Sequence, residues 1–247
     1  MTAFDQAGFD VRFDWGIEGL AVLGPTSDVV IVVDVLSFST AVDVATSRGA
    51  VIFPAPWEDD RASELAESAG AVLAVPRSAM SPRSPYSLSP ASFSSIPPGL
   101  RVVLPSPNGA TISLQAERSG LTVVAGCLRN ATAVAKAART FGRRVSIIAA
   151  GERWPDGTLR PAVEDLVGAG AIIASLDGSL SPEATAAAGA FRSVDAISQL
   201  AESASGRELI DAGFPEDVQL AAMLNASGTV PVLRQGAFAA HSGKGGG

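Results

Sequence analysis

Asp28–Ser47, DVVIVVDVLSFSTAVDVATS, is the stretch on which the reading of the fold turns. The unbroken Val and Ile run before Asp34 reads as a strand buried on both faces, the pattern of a central parallel strand. A carboxylate at the end of such a strand is costly unless a cation or several donors meet it. Ser37, Ser39 and Thr40 then suit the start of a helix whose apolar positions continue through Ala41, Val42, Val44 and Ala45. Strand, carboxylate and helix N-terminus in that order form a place where an α/β protein can hold a metal ion beside an anion. The plainer readings of Asp34 are a helix cap or a partner for a buried arginine.

The flanking chain carries the same alternation. Short apolar runs at Val11–Trp15, Ala50–Pro54 and Ala71–Val75 read as strands around a helix at Ser39–Arg48 and a surface helix at Trp57–Ser68, giving a βαβαβ order and a largely parallel sheet. Pro76–Pro98 is dense in Ser and Pro yet holds Arg77, Arg83, Tyr86 and Phe93, which reads as a loop folded over a site, with a linker as the alternative. Strands are expected again at Arg101–Leu104, Leu121–Ala125 and Val145–Ala150, and the first two run into polar turns, Asn108-Gly109 and GCLRNAT, before further helices. Each such turn brings backbone N–H groups to one edge of the sheet. For Asn108 and Asn130 the alternative is plain turn or capping chemistry. PAVEDLVGAGAII reads as a buried helix with Glu164 and Asp165 in its first part, placed there either by helix-start electrostatics or to bind a metal. Helices follow to Asn225, then one short strand in TVPVLRQGAF and a glycine-rich tail, 241–247, expected to be disordered. The expected fold is a three-layer α/β/α with a mixed, largely parallel sheet, built as two related halves, 1–98 and 99–247, closing on a cleft.

Charge and composition exclude several functions. Of 247 residues, 18 are Lys or Arg and 25 Asp or Glu, a net charge of −7 with no basic block, which leaves nucleic-acid binding without electrostatic support. No apolar run approaches a membrane span and the start lacks a signal-peptide pattern, so a cytoplasmic location is expected. The single cysteine, Cys127, rules out an intrachain disulfide, and the single histidine, His241, falls in the tail. Acid and base work therefore falls to carboxylates, Lys, Tyr, Cys or metal-bound water, and Cys127 has no histidine in the body to activate it. No G-x-G-x-x-G follows a strand, which sets a dinucleotide-binding dehydrogenase aside.

The segments VVIVVDVLSFSTAV, SPNGAT, AGCLRNATAVA, LRPAVEDLVGAGAII and SGRELIDAGFPEDVQLAAMLNASGTVPVLRQG, in that order and spacing, resemble the 2-phosphosulfolactate phosphatase (ComB) family over nearly the whole chain. The resemblance implies a magnesium-dependent phosphatase of α/β/α fold that releases phosphate from phosphosulfolactate, with Asp34, Asn108-Gly109, Asn130 and Glu164-Asp165 at the family's recurrent polar positions. The chain departs from that pattern where Ser37 replaces an arginine, Val75-Pro76-Arg77 a Gly-Glu-Arg, Leu88-Ser89-Pro90 an Asn-Ser-Pro, and Ser205 a histidine.

On this basis Asp34, Glu164 and Asp165 are the expected catalytic and Mg2+-binding residues. Ser37, Ser39, Thr40, Arg77, Asn108, Gly109, Arg129 and Asn130 are the expected substrate contacts, and the expected substrate is a small phosphorylated metabolite carrying a second anion. Asp34 could be nucleophile or metal ligand. A diverged protein that binds a small anion without turnover is the alternative function, and a homodimer is the expected assembly.

Overall fold

A computed structural model describes residues 3–57 and 61–241. Its centre is β2 (Val29–Val33), every residue of which is fully buried. Val29, Ile31 and Val33 join one apolar core while Val30 and Val32 join another on the opposite face. At roughly 1.5–3 kcal/mol per buried Val or Ile, this strand alone drives much of the layering. The ladder stops at Asp34 because its N–H donates to the Ser39 hydroxyl at 3.1 Å instead of to a neighbouring strand.

Parallel partners flank β2: β6 (Thr122–Gly126) on one side, and on the other β7 (Val145–Ala149), which pairs in turn with β1 (Val11–Trp15). The remaining strands are β3 (Val51–Ala55), β4 (Val72–Leu73), β5 (Arg101–Pro105), β10 (Pro231–Arg234) and β11 (Ala237–Ala240), and the nine-stranded sheet runs β1-β7-β2-β6-β10-β11-β3-β5-β4. A separate two-stranded ribbon, β8 (Glu152–Arg153) and β9 (Leu159–Arg160), stands at the end of β7.

The sheet is mixed and mostly parallel, as the sequence pattern implies, but its last segment departs from the expected single strand. TVPVLRQGAF forms two strands, not one, because Gln235-Gly236, both at positive φ, turn the chain into the hairpin β10–β11. That hairpin is antiparallel to β6 on one side and to β3 on the other. The block β3-β5-β4 therefore runs opposite to the block β1-β7-β2-β6. Strands from before and after residue 98 are interleaved in the sheet, and β3 and β4 pair with β5 across that boundary.

On the β2 face that includes Val30 lie α1 (Gly16–Leu23), α2 (Phe38–Ser47) and α4 (Gly109–Arg118). The other face is covered by α5 (Ala131–Phe141), α6 (Val163–Ile173) and α7 (Pro182–Arg192), with α8 (Ala196–Glu202), α9 (Ala204–Asp211) and α10 (Pro215–Ala221) outside them. α3 (Arg61–Ala69) packs on β3 and β5 around Phe53 and Val103. α6 and α7 approach so closely that a Cβ on Gly170 would meet the Ala187 carbonyl, which explains a glycine inside a helix. Among the described residues no helix is long and apolar enough to cross a membrane.

The 76–98 loop folds back on the body, with Tyr86 stacked on Phe93 at 5.4 Å. His241, expected in a disordered tail, is instead fixed: its N–H donates to the Val230 carbonyl at 2.8 Å and its ring meets Phe141. The rest of the glycine-rich tail, 242–247, lies outside the described residues.

Candidate active site

Two buried aspartates tie together the elements that leave the β2 and β7 edge of the sheet. Asp34 follows β2, and its oxygens accept from the N–H of Phe38 at 3.0 Å and of Gly109 at 2.9 Å. It thereby caps α2 and also holds the start of α4, so the cap reading of Asp34 describes half of what it does. A Cβ at position 109 would lie 2.7 Å from the Asp34 carboxylate, which is why the turn needs glycine there. Asp165, at the start of α6, accepts from the N–H of Val35 at 2.7 Å and of Gly151 at 2.8 Å, bridging the ends of β2 and β7. Hydrogen bonds to charged groups contribute about 1.5–3 kcal/mol each, which offsets part of the desolvation of these carboxylates.

Glu164 sits beside them, 2% exposed, and its carboxylate accepts no hydrogen bond among the described residues. Glu152, the first residue of the β8–β9 ribbon, completes the acidic group and accepts from the Asn108 side chain at 3.1 Å. Burial, then the charge of Asp34, push the Glu152 carboxyl up to about 7. Burial also raises Asp34, with Glu164 adding to it against the pull of the two N–H donors. Asp165 is raised well above the usual carboxylate range by burial and by the charges of Asp34 and Glu164. The mutual repulsion shows that Asp34, Glu152, Glu164 and Asp165 share one field.

A cavity of about 840 Å³ is lined by Ser37, Arg77, Glu152, Arg153, Arg160 and Ser205 among others, Glu152 being the member of the acidic group that reaches it. Guanidinium groups thus share one space with the Glu152 carboxyl. Arg160 reaches the Ser205 hydroxyl at 3.3 Å, and Arg77 reaches the Ser37 hydroxyl at 2.7 Å. A second cavity of about 710 Å³, lined by Trp15, Ile17, Asn108 and Glu152 among others, lies on the far side of the Asn108–Glu152 hydrogen bond.

Of the expected site residues, Asp34, Glu164 and Asp165 lie in one field, Gly109 adjoins Asp34 and Asn108 adjoins Glu152 through hydrogen bonds, and Ser37 and Arg77 line the cavity with Glu152. Other expected contacts lie elsewhere. Ser39 donates to the Val32 carbonyl and Thr40 to the Val35 carbonyl, and both residues are fully buried, so their hydroxyls end the β2 ladder and do not face the cavity. Asn130 accepts from the Cys127 N–H and donates to the Ala125 carbonyl, closing its own turn. Arg129 pairs with the buried Asp43 at 2.9 Å and donates to the Leu220 carbonyl, outside both cavities. Nor does the three-carboxylate metal shell assemble: among the described residues no three His, Cys, Asp or Glu side chains group tightly enough to hold a metal ion.

Glu152 and Arg160 were hidden in GERWPDGTLR, which reads as an exposed polar turn. The signal that could have found them is position: Glu152 follows the carboxyl end of a parallel strand adjoining β2, where α/β sheets place their ligands.

The profile of the 2-phosphosulpholactate phosphatase family matches residues 21–236. The chain belongs to that family. A relative from Methanothermobacter thermautotrophicus, named 2-phosphosulfolactate phosphatase, is 36% identical over 136 residues, 55% of this chain and 57% of its own length. Another from Carboxydothermus hydrogenoformans, named probable 2-phosphosulfolactate phosphatase, is 31% identical over 209 residues, 82% of this chain and 84% of its own. The profile match spans every residue of the acidic group and every arginine named above as lining the cavity.

Proposed function

We propose that this chain is a magnesium-dependent phosphomonoester hydrolase acting on a small phospho-hydroxy acid with a second anionic group, 2-phosphosulfolactate being the first candidate. The observation that carries the reading is that Glu152, whose carboxyl is pushed up by burial and by the charge of buried Asp34, lines one cavity with Arg77, Arg153 and Arg160. Guanidinium groups suit the equatorial oxygens of a phosphoryl group and the second anion, while carboxylates suit proton transfer and a hard cation.

The residues present fit magnesium through fewer carboxylates than the sequence suggests. Magnesium keeps several waters and is bound through one or two carboxylates plus substrate phosphate. Glu164, buried with no hydrogen bond to its carboxylate among the described residues, and Asp34 beside it are the residues that would hold it. When bound, the ion would neutralise phosphoryl charge and lower the pKa of an attacking water. Asp165 works behind them, fixing the Val35 and Gly151 backbone on which the cavity floor rests. Glu152 lines the cavity with a carboxyl near half protonation at neutral pH, so it can give a proton to the leaving alkoxide as the P–O bond breaks. Asn108 orients it by donating to one of its oxygens.

The test is phosphate release from phosphosulfolactate, phospholactate and phenyl phosphate with magnesium and with chelator, for the native protein and for Asp34→Asn and Glu164→Gln. Magnesium-dependent turnover that falls in both variants supports the reading. Absence of turnover, with small-anion binding retained, would instead favour the binding protein.

A further inference from the structure

Asp217 lies on α10, fully buried and far in sequence from the acidic cluster. One of its oxygens accepts from Arg77 Nε at 3.3 Å and from Arg77 Nη2 at 3.2 Å. The other accepts from the Ser89 hydroxyl and from the Ala91 N–H at 3.2 Å. Every partner of this carboxylate therefore comes from the 76–98 loop. The same Nη2 also donates to the Ser37 hydroxyl and to the Leu88 carbonyl at 3.2 Å, and the guanidinium lies 5.5 Å from the Phe214 ring centre. Nε and Nη2 are thus spent on the protein. Nη1 has no protein acceptor among the described residues, and Arg77 lines the 840 Å³ cavity.

We propose that Asp217 is a positioning residue that holds the Arg77 guanidinium beside Ser37, so that the free Nη1 edge binds the substrate's second anionic group, a sulfonate or carboxylate. A long, flexible arginine on a Ser- and Pro-rich loop would lose much rotamer freedom on gripping a ligand; fixing it in advance removes that cost. The carboxylate also explains why the loop docks where it does, since Ser89 and Ala91 satisfy the oxygen that Arg77 does not use. This inference rests on the hydrolase reading for its substrate but not for its binding step.

Two experiments test it. In the first, KM and kcat are measured for phosphosulfolactate and for phenyl phosphate, which lacks the second anion. Asp217→Asn and Arg77→Ala are expected to raise KM for phosphosulfolactate about tenfold or more while kcat changes less, and to shift phenyl phosphate by a smaller factor. Equal losses on both substrates would overturn the assignment to the second anion. In the second, sulfoacetate binding is followed by calorimetry: guanidinium ion should restore affinity to Arg77→Ala, whose Asp217 can still hold it, and should fail in the Arg77→Ala/Asp217→Asn double variant. Rescue in both, or in neither, would overturn the positioning role. If Asp217→Asn melts early, Ser89→Ala removes one donor from the same carboxylate and should give a smaller KM shift of the same selectivity. A native protein that binds sulfoacetate through Arg77 yet hydrolyses no ester would defeat the hydrolase reading and leave this inference standing. Hydrolysis with no Arg77 dependence of KM would do the reverse.

Discussion

Glu152 has an environment that its sequence context does not announce. Its carboxyl sits at about 7 in place of 4.5 because burial and the Asp34 charge both disfavour ionisation. If the protonated form donates to the leaving group, kcat falls as pH rises through about 7. Glu152→Gln should remove that limb and lower the rate by about 10²–10⁴-fold, read from pH–rate profiles of the two proteins; an unchanged profile would remove Glu152 from proton transfer. Gly109 makes a second residue-scale case. In Gly109→Ala the new Cβ would crowd both the Asp34 carboxylate and the Phe38 ring. Overpacking of this kind costs about 1–3 kcal/mol, so urea unfolding should show that loss together with a drop in turnover.

Between elements, the turn after β6 and the turn after β2 look alike in sequence but do different work. The Asp34 turn reaches across to α4 through Gly109, and Asp165 reaches from α6 to the ends of β2 and β7. The Asn130 turn closes on itself and is fully buried. Asn130→Ala should therefore cost about 1–3 kcal/mol in unfolding free energy by leaving a buried N–H and carbonyl unpaired, with KM for the phosphoester little changed. A large KM effect at unchanged stability would restore Asn130 to the substrate contacts. The Glu164-Asp165 pair was legible from its helix because a small, apolar surround makes two adjacent carboxylates conspicuous. The β8–β9 ribbon was not legible: two residues per strand carry no periodicity, and Trp154-Pro155-Asp156-Gly157 is indistinguishable from a solvated turn.

Across the whole molecule, charge is arranged in two ways. At the outer end of β1 and β7, Asp10 pairs with Arg143 and Asp28 with Arg144, holding both aspartates down at about 2 against an ordinary 3.8. A depressed folded value adds stability above the unfolded value and loses it as pH falls through the folded one. The thermal midpoint should thus decline from about pH 4 to about pH 2, and Asp28→Asn should decline less over that window. Exposure of these pairs keeps the effect small and salt-sensitive. The active-site group works in the opposite sense: the raised Glu152 carboxyl costs the folded state stability as pH rises from about 4.5 through about 7, and the cost is complete above that. If magnesium binds there, it should raise the midpoint at pH 8 more in the native protein than in Glu164→Gln, measured by thermal melts with and without chelator. Equal shifts in both would move the ion elsewhere.

The sequence by itself determined the central strand, the alternation of strands and helices, the carboxylate at the end of β2 and the family, because these depend on local periodicity and on motifs contiguous in the chain. The tertiary structure alone decided which turns face the cavity, that the last strands form a hairpin reversing the β3-β5-β4 block, that Glu152 and Arg160 line the cavity, and that Asp217 pairs with Arg77. Arg77 and Asp217 are 140 residues apart. A pairing over that distance leaves no local pattern, since a buried, satisfied ion pair and two solvated surface charges have the same neighbours in sequence.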